Sequence, residues 1–242
     1  MKKQLTVVSP SAHITMQELE QRIIATREKY SACLQQYHEA WYDSGHTWVY
    51  TNFLGIGMMK SPNDLWAYQD IMVQHRPKTV IETGTYQGAS ALWIACLMDL
   101  LNIEGGRVHT VDIEDRRKAE HPRITAYGGD SADPELVQTI ADQIDGKVLV
   151  ILDSDHSEAH VRAELELYAP LTRPGDWVVV EDTNVGWVNN EHPELSDRGA
   201  RGGLEDYLLA HPGEFRQDLL SERYLLTMNP GGWLQRMAGG RA

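Results

Sequence analysis

Cysteine is scarce. Cys33 and Cys96 are the two thiols in 242 residues, and both fall in segments with helical patterning. Their expected role is packing as small apolar residues in a reducing compartment, not a disulfide framework. Apolar runs are short as well. None approaches the roughly 18 residues of a membrane span, and the N-terminal MKKQLTVVSP follows its two lysines with only a brief mixed run, unlike a signal peptide. A cytoplasmic protein that does not engage membranes is therefore expected. Basic clusters are missing too. The formal charge is −13, and the densest basic stretch, Arg116-Arg117-Lys118, is flanked by Glu114, Asp115 and Glu120. Nucleic-acid binders draw affinity from Lys and Arg on phosphates, so no nucleic-acid partner is expected. Internal repeats and low-complexity tracts are absent, and 42% hydrophobic with 24% charged residues describes a globular chain able to bury a core.

What is present falls into two textures. Residues 15–42 carry Leu19, Ile23, Leu34, Tyr37 and Trp41 at helical spacing and predict one or two helices. HTWVYTNFLGIGMMKSP then reads as a loop or strand pair. In SPNDLWAYQDIMVQH, Ser61 as N-cap and Pro62 at the first helical position predict a helix. From residue 79 short apolar runs (TVIET, GRVHTVDI, RITAYGG, KVLVILD, DWVVVED) alternate with helical patterns (ASALWIACLMDLL, DPELVQTIADQI, SEAHVRAELELYAPL). That alternation predicts right-handed βαβ units and a parallel sheet. The tail, EFRQDLL and ERYLLTMNPGGWLQRM, reads as two further strands forming an antiparallel edge. We divide the chain into a helical N-terminal cap, residues 1–60, and an α/β domain, residues 61–242.

The first βα turn reads VIETGTYQGAS. Gly84 and Gly88 permit a tight turn and the close approach of a ligand. The lysine of a P-loop and the glycines of G-x-G-x-x-G are both missing. An acid, Glu82, stands where a phosphate site needs positive potential. This suits a ligand without phosphate and with a cationic end, such as S-adenosylmethionine. Asp112 closes the second strand, placed to accept ribose hydroxyls, and Asp130 follows the third strand, near an adenine edge. The plainer alternative is a tight turn with loop acids.

Two later strands also end in acid. VLVILDSDHS ends a buried strand with Asp153, and VVVED ends the next with Glu181 and Asp182. Ligands in such sheets sit beyond the carboxyl ends of the strands. Three carboxylates there repel one another unless a cation joins them. Oxygen ligands without cysteine favour Mg²⁺ over Zn²⁺. Asp155 is a reserve ligand or a helix-terminal acid. His156 is a candidate general base, or simply a cap for the helix that follows. His160, Glu164 and Glu166 read as surface residues. Trp187, in the long polar loop TNVGWVNNEHPELSDRGARGG, is a candidate wall of the acceptor pocket.

These stretches, with PNDLWAYQDIM, RPKTVIETGTYQGASALWIA, HPRITAYGGDSADPE and ERYLLTMNPGGWLQR, resemble the cephalosporin hydroxylase/rhamnosyl O-methyltransferase family over roughly residues 60–236. The resemblance implies a Rossmann-like class I methyltransferase fold: a mostly parallel seven-stranded sheet with an antiparallel C-terminal hairpin. It implies S-adenosylmethionine and Mg²⁺ as cofactors and a hydroxyl of a sugar or other natural product as acceptor. Glu82, Gly84, Tyr86, Gly88 and Ser90 would line the methionine end of the cofactor, with Asp112 on the ribose, Asp130 by the adenine and Asp153 beside the cofactor. Asp153, Glu181 and Asp182 would hold the metal. The pattern is similar to catechol-type O-methyltransferases, whose base is a lysine three residues after the first metal Asp; here that position is His156. The family's habits and the aromatic N-terminal segment imply a homo-oligomer. Some relatives carry the name hydroxylase, so a non-methylating hydroxylation or cyclisation on the same fold is the second reading.

Overall fold

The computed structural model describes residues 14–45, 47–185 and 198–239. Two helices open it, α1 (Met16–Lys29) and α2 (Ser31–Asp43), the first started by a capping box between Thr15 and Glu18. A two-residue hairpin follows, β1 (Asn52–Phe53) and β2 (Ile56–Gly57), and then α3 (Pro62–His75). Ser61 precedes α3 as expected, but its side chain makes no capping hydrogen bond.

The βαβ alternation is realised in β3 (Thr79–Thr83), α4 (Ala89–Leu100), β4 (Arg107–Asp112), β5 (Ile124–Gly128), α5 (Pro134–Ala141), β6 (Val148–Leu152), α6 (Glu158–Tyr168) and β7 (Trp177–Val180). After α7 (Gly199–Ala210) come β8 (Phe215–Gln217) and β9 (Trp233–Arg236). One sheet runs β5-β4-β3-β6-β7-β9-β8; its first five strands are parallel, and β9 runs antiparallel to both its neighbours, β7 and β8. The chain winds outward from β3 to β5, then returns to β6 beside β3. The switch point therefore lies between the carboxyl ends of β3 and β6, where a crevice opens in such sheets.

β3, β6 and β7 are buried along their whole length, which explains the unbroken apolar runs of β6 and β7; β3 buries Glu82 between its apolar residues and Thr83. Alternate residues feed two cores. Val148, Val150 and Leu152 join Leu165 and Tyr207 on one face. Leu149 and Ile151 join Tyr68, Met72 and Trp233 on the other. Each such side chain contributes about 1.5–3 kcal/mol.

Three expectations are corrected. Residues 183–203 do not form one loop, because α7 begins at Gly199. Its glycines, poor helix formers, hid the helix in the sequence. They are there because α7 lies directly on α6: a Cβ at Gly203 would strike the Glu158 carbonyl, and one at Gly202 the Glu158 carboxylate. The expected strand over ERYLLTMNPGGWLQRM occupies only Trp233–Arg236, since the chain from 223 to 232 runs in turns, with Leu225 left-handed. Cys33 is exposed and not packed, while Cys96 is half-buried; both are free thiols. Trp187 lies outside the described residues. Among the described residues, no helix is long and apolar enough to cross a membrane.

Candidate active site

The acids named from the sequence all stand along the carboxyl edge of the sheet, and two halves of that edge meet at the switch point. Gly84 makes the junction. It has φ of +83°, and a Cβ there would collide with the carbonyl of Asp153, so the end of β3 and the end of β6 touch backbone to backbone. The close approach that requires this glycine is made by the chain itself. The junction is tied further by the Asp153 amide, which donates to Thr83 Oγ1 at 3.2 Å.

On the β3–β5 side, Glu82 is fully buried. Its Oε2 accepts from Thr110 Oγ1 at 2.8 Å, while Oε1 has no partner. Burial pushes its pKa up to about 7 against the opposing pull of Lys60 and of the neighbouring Ser90 and Thr110 hydroxyls. A buried carboxylate oxygen without a donor is costly, and an ammonium group would satisfy it. Ser90 sits in the first turn of α4, started by Gly88 in the left-handed region (φ +80°). Asp112 Oδ2 accepts from the Tyr86 amide at 2.7 Å and Oδ1 from the Glu114 amide at 3.0 Å. Each oxygen retains a second lone pair. Asp112 borders a cavity of about 140 Å³ lined also by Thr85, Arg117 and Tyr127. Asp130 is exposed, and its Oδ1 accepts from the Ala132 amide.

On the β6–β7 side the acids gather. Ligand atoms of Asp153, His156 and Asp182 all lie within 4.8 Å of one another. His156 Nε2 is 3.3 Å from Asp182 Oδ2 and 3.9 Å from Asp153 Oδ1. Burial works to lower the His156 pKa, but Asp182, Asp153 and Glu181 outweigh it and the imidazole is raised. Burial likewise raises Asp153 and Asp182. Neighbouring residues of a strand point to opposite faces. Asp182 escapes that rule by adopting φ of +54°, with its amide donating to Asn229 Oδ1 at 3.0 Å. Left-handed backbone at a non-glycine residue costs about 1–3 kcal/mol and clusters where function needs it. Tyr86 and Met59 share it, and both flank site residues.

Glu181 has different company. Its Oε1 accepts from Lys60 Nζ at 2.6 Å and from the Tyr68 hydroxyl at 2.5 Å. Lys60 Nζ also donates to Asp153 Oδ2 at 2.6 Å. Sequence reading found neither Lys60 nor Tyr68. A signal was available: a lysine two residues before the first residue of α3, in a chain whose strand-end acids lacked any counter-charge. Asp155 turns away from the cluster, its Oδ1 accepting from the Ser157 amide where α6 starts. Glu164, expected on the surface, is fully buried instead, and its Oε1 accepts from Ser154 beside Asp153. The N-terminal segment reaches the same edge. Tyr42 donates to Asn184 Oδ1 at 3.3 Å, and Asn184 Nδ2 donates to His38 Nδ1 at 2.9 Å. Burial, with help from Arg27, holds His38 down at about 4, so the neutral ring can accept.

Comparison with known proteins identifies the family. Residues 46–237 match the family described as Rhamnosyl O-methyltransferase/CmcI. The chain is 36% identical over 215 residues to a Rhamnosyl O-methyltransferase of Mycobacterium bovis, covering 85% of each protein. Over a shorter stretch of 114 residues it is 32% identical to the 8-demethyl-8-alpha-L-rhamnosyl tetracenomycin-C 2'-O-methyltransferase of Streptomyces olivaceus, 46% of this chain and 30% of that one. The fold is similar to that of CmcI, solved as "cmcI-D160 Mg-SAM", with a TM-score of 0.62, 23% identity and 78% of each chain covered. The matched region contains the whole sheet and every acid of its carboxyl edge, and on that extent and identity the chain belongs to the rhamnosyl O-methyltransferase/CmcI family.

Proposed function

We propose that the protein is an S-adenosylmethionine-dependent, Mg²⁺-dependent O-methyltransferase whose acceptor is a hydroxyl of a sugar carried by a natural product. The observation that carries this reading is the convergence of Asp153, His156 and Asp182 beside the β3–β6 junction. The names of the relatives make a rhamnosyl hydroxyl the first acceptor to test.

The residues fit both groups. The partnerless Glu82 Oε1 suits the ammonium of the methionine end, and Asp112, with spare lone pairs beside a cavity, suits vicinal ribose hydroxyls. Gly84, Tyr86, Gly88 and Ser90 form the turn between them, with Asp130 at the far side. Asp153 and Asp182 offer hard oxygens suited to Mg²⁺, with Glu181 held next to them. When bound, S-adenosylmethionine supplies the methyl group, and Mg²⁺ lowers the pKa of the acceptor hydroxyl and orients it.

The chain's own part is proton management and alignment. His156 would take the acceptor's hydroxyl proton at Nε2. Asp182, 3.3 Å from Nε2, would hold the orientation of that imidazole. The backbone contact at Gly84 fixes the cofactor turn against the Asp153 loop, which sets donor against acceptor.

Calorimetric titration of S-adenosylmethionine and S-adenosylhomocysteine, with and without Mg²⁺, tests the reading. Both are expected to bind, and one S-adenosylhomocysteine is expected per methylated rhamnoside. Absence of binding under both conditions removes the methyltransferase reading. Binding with turnover but no cofactor consumption selects the non-methylating alternative.

A further inference from the structure

Lys60 is the one cation that hydrogen-bonds directly to the strand-end acids among the described residues, and it is nearly fully buried. Its position is rigid. Met59 before it is left-handed, and Ser61 and Pro62 after it open α3. Nζ takes one oxygen from each of two carboxylates, Oδ2 of Asp153 and Oε1 of Glu181, and Tyr68 takes the same Glu181 oxygen. Asp153 Oδ1 is the oxygen that faces His156.

Two consequences follow from elementary chemistry. Asp153, Glu181 and Asp182, when ionised, sum to three negative charges; Lys60 reduces this to two, the complement of one divalent ion. A carboxylate oxygen held by an ammonium keeps a lone pair, but a metal cation there would sit against the Nζ charge. This leaves the other oxygen as the one open to a metal. Mg²⁺ takes six ligands in a tight octahedron, with one or two carboxylates and the rest water. Ca²⁺ takes six to eight and favours carboxylates that chelate through both oxygens. Resting on the metal site of the proposed function, we infer that Lys60 is the positioning residue that selects a small octahedral divalent ion over Ca²⁺, by restricting Asp153 and Glu181 to one oxygen each.

A mere counter-charge acts otherwise. Removing it would strengthen the binding of Mg²⁺, Mn²⁺ and Ca²⁺ alike, because Coulomb attraction at equal charge does not distinguish them. The ratio of affinities therefore separates the two roles. The experiment measures dissociation constants of Mg²⁺, Mn²⁺ and Ca²⁺ by calorimetry on the full chain, wild type against Lys60→Met, which keeps the length and loses the charge. Circular dichroism melting and metal-free S-adenosylhomocysteine binding check that the fold is intact. Wild type is expected to prefer Mg²⁺ and Mn²⁺, and Lys60→Met is expected to gain about tenfold more affinity for Ca²⁺ than for Mg²⁺. A Mg²⁺-to-Ca²⁺ ratio unchanged between the two proteins overturns the inference and leaves the proposed function standing. A wild type that binds no divalent ion sinks the metal requirement itself, and the inference with it. Should Lys60→Met not fold, Lys60→Gln, which retains one donor, is expected to shift the ratio about threefold in the same direction; an unmoved ratio there is equally decisive against it.

Discussion

The two halves of the sheet's carboxyl edge hold their acids in opposite ways. At the ends of β4 and β5, Asp112 and Asp130 are held by amides of their own or neighbouring turns, those of Tyr86, Glu114 and Ala132. At the ends of β6 and β7, Asp153 and Glu181 are held by side chains from far away in sequence, 93 residues for Lys60 to Asp153 and 121 for Lys60 to Glu181. Solitary acids on backbone donors suit a ligand read by hydrogen bonds. Crowded acids need charge to hold them, and the raised pKa values of Asp153, Glu181 and Asp182 record that crowding together with burial. On the proposed function, the first half serves binding and the second chemistry.

Substitutions that strike one half and spare the other sharpen this contrast. Asp153→Asn is expected to lower turnover by about a thousandfold, while S-adenosylhomocysteine binding stays within a few-fold of wild type. Single-turnover rates with calorimetry read both, and a parallel loss of cofactor would erase the division. His156→Gln is expected to cost a few hundredfold in kcat, about the range for a lost general base, and to abolish the acidic limb of the pH–rate profile. That limb reports loss of the imidazole proton, because the ring must be neutral to accept one.

Glu82→Gln tests the binding half through stability. Glu82 titrates at about 7 in the fold and at the ordinary carboxylate value of 4.5 when unfolded. The folded chain thus binds the extra proton between these values, and stability falls as pH rises through the window. The glutamine variant should match wild type below about pH 4.5 and exceed it by about 3 kcal/mol above pH 7, while binding the cofactor less tightly. Denaturant midpoints at pH 4.5 and pH 8 decide it; an equal offset at both would show that Glu82 is not held protonated by its site. Smallest is Asp112→Asn, expected to weaken S-adenosylhomocysteine about tenfold and leave divalent-ion affinity unchanged, since it alters one hydrogen-bonding group at the cavity.

The same contrast explains what could be read from the chain. β3, β6 and β7 were legible because a strand buried on both faces writes itself as an apolar run, and their terminal acids followed directly. The junction glycine was visible as Gly84, but its reason, contact with Asp153, was not, because it joins segments about seventy residues apart. Lys60 lies in the glycine- and methionine-rich stretch GIGMMKSP, where no periodicity marks a side chain as buried. Glu164 was misread since a charged residue in an amphipathic helix is ordinarily solvated; its burial depends on Ser154. α7 was hidden by glycines that serve packing against α6 and not helix propensity. Local chemistry was readable, and distant partnership was not.

The backbone contact at Gly84 also bears on how such a protein can diversify. The spacing between its two working halves is written in main chain, which no side-chain replacement elsewhere edits. On the proposed function, helices α1 and α2, whose His38 and Tyr42 reach Asn184, can therefore drift, lengthen or be exchanged to admit new acceptors while the spacing of the two halves stays inherited. A lineage built this way explores substrates cheaply, and a laboratory library aimed at those segments should retain active members at a higher frequency than one aimed at the turn from Gly84 to Ser90.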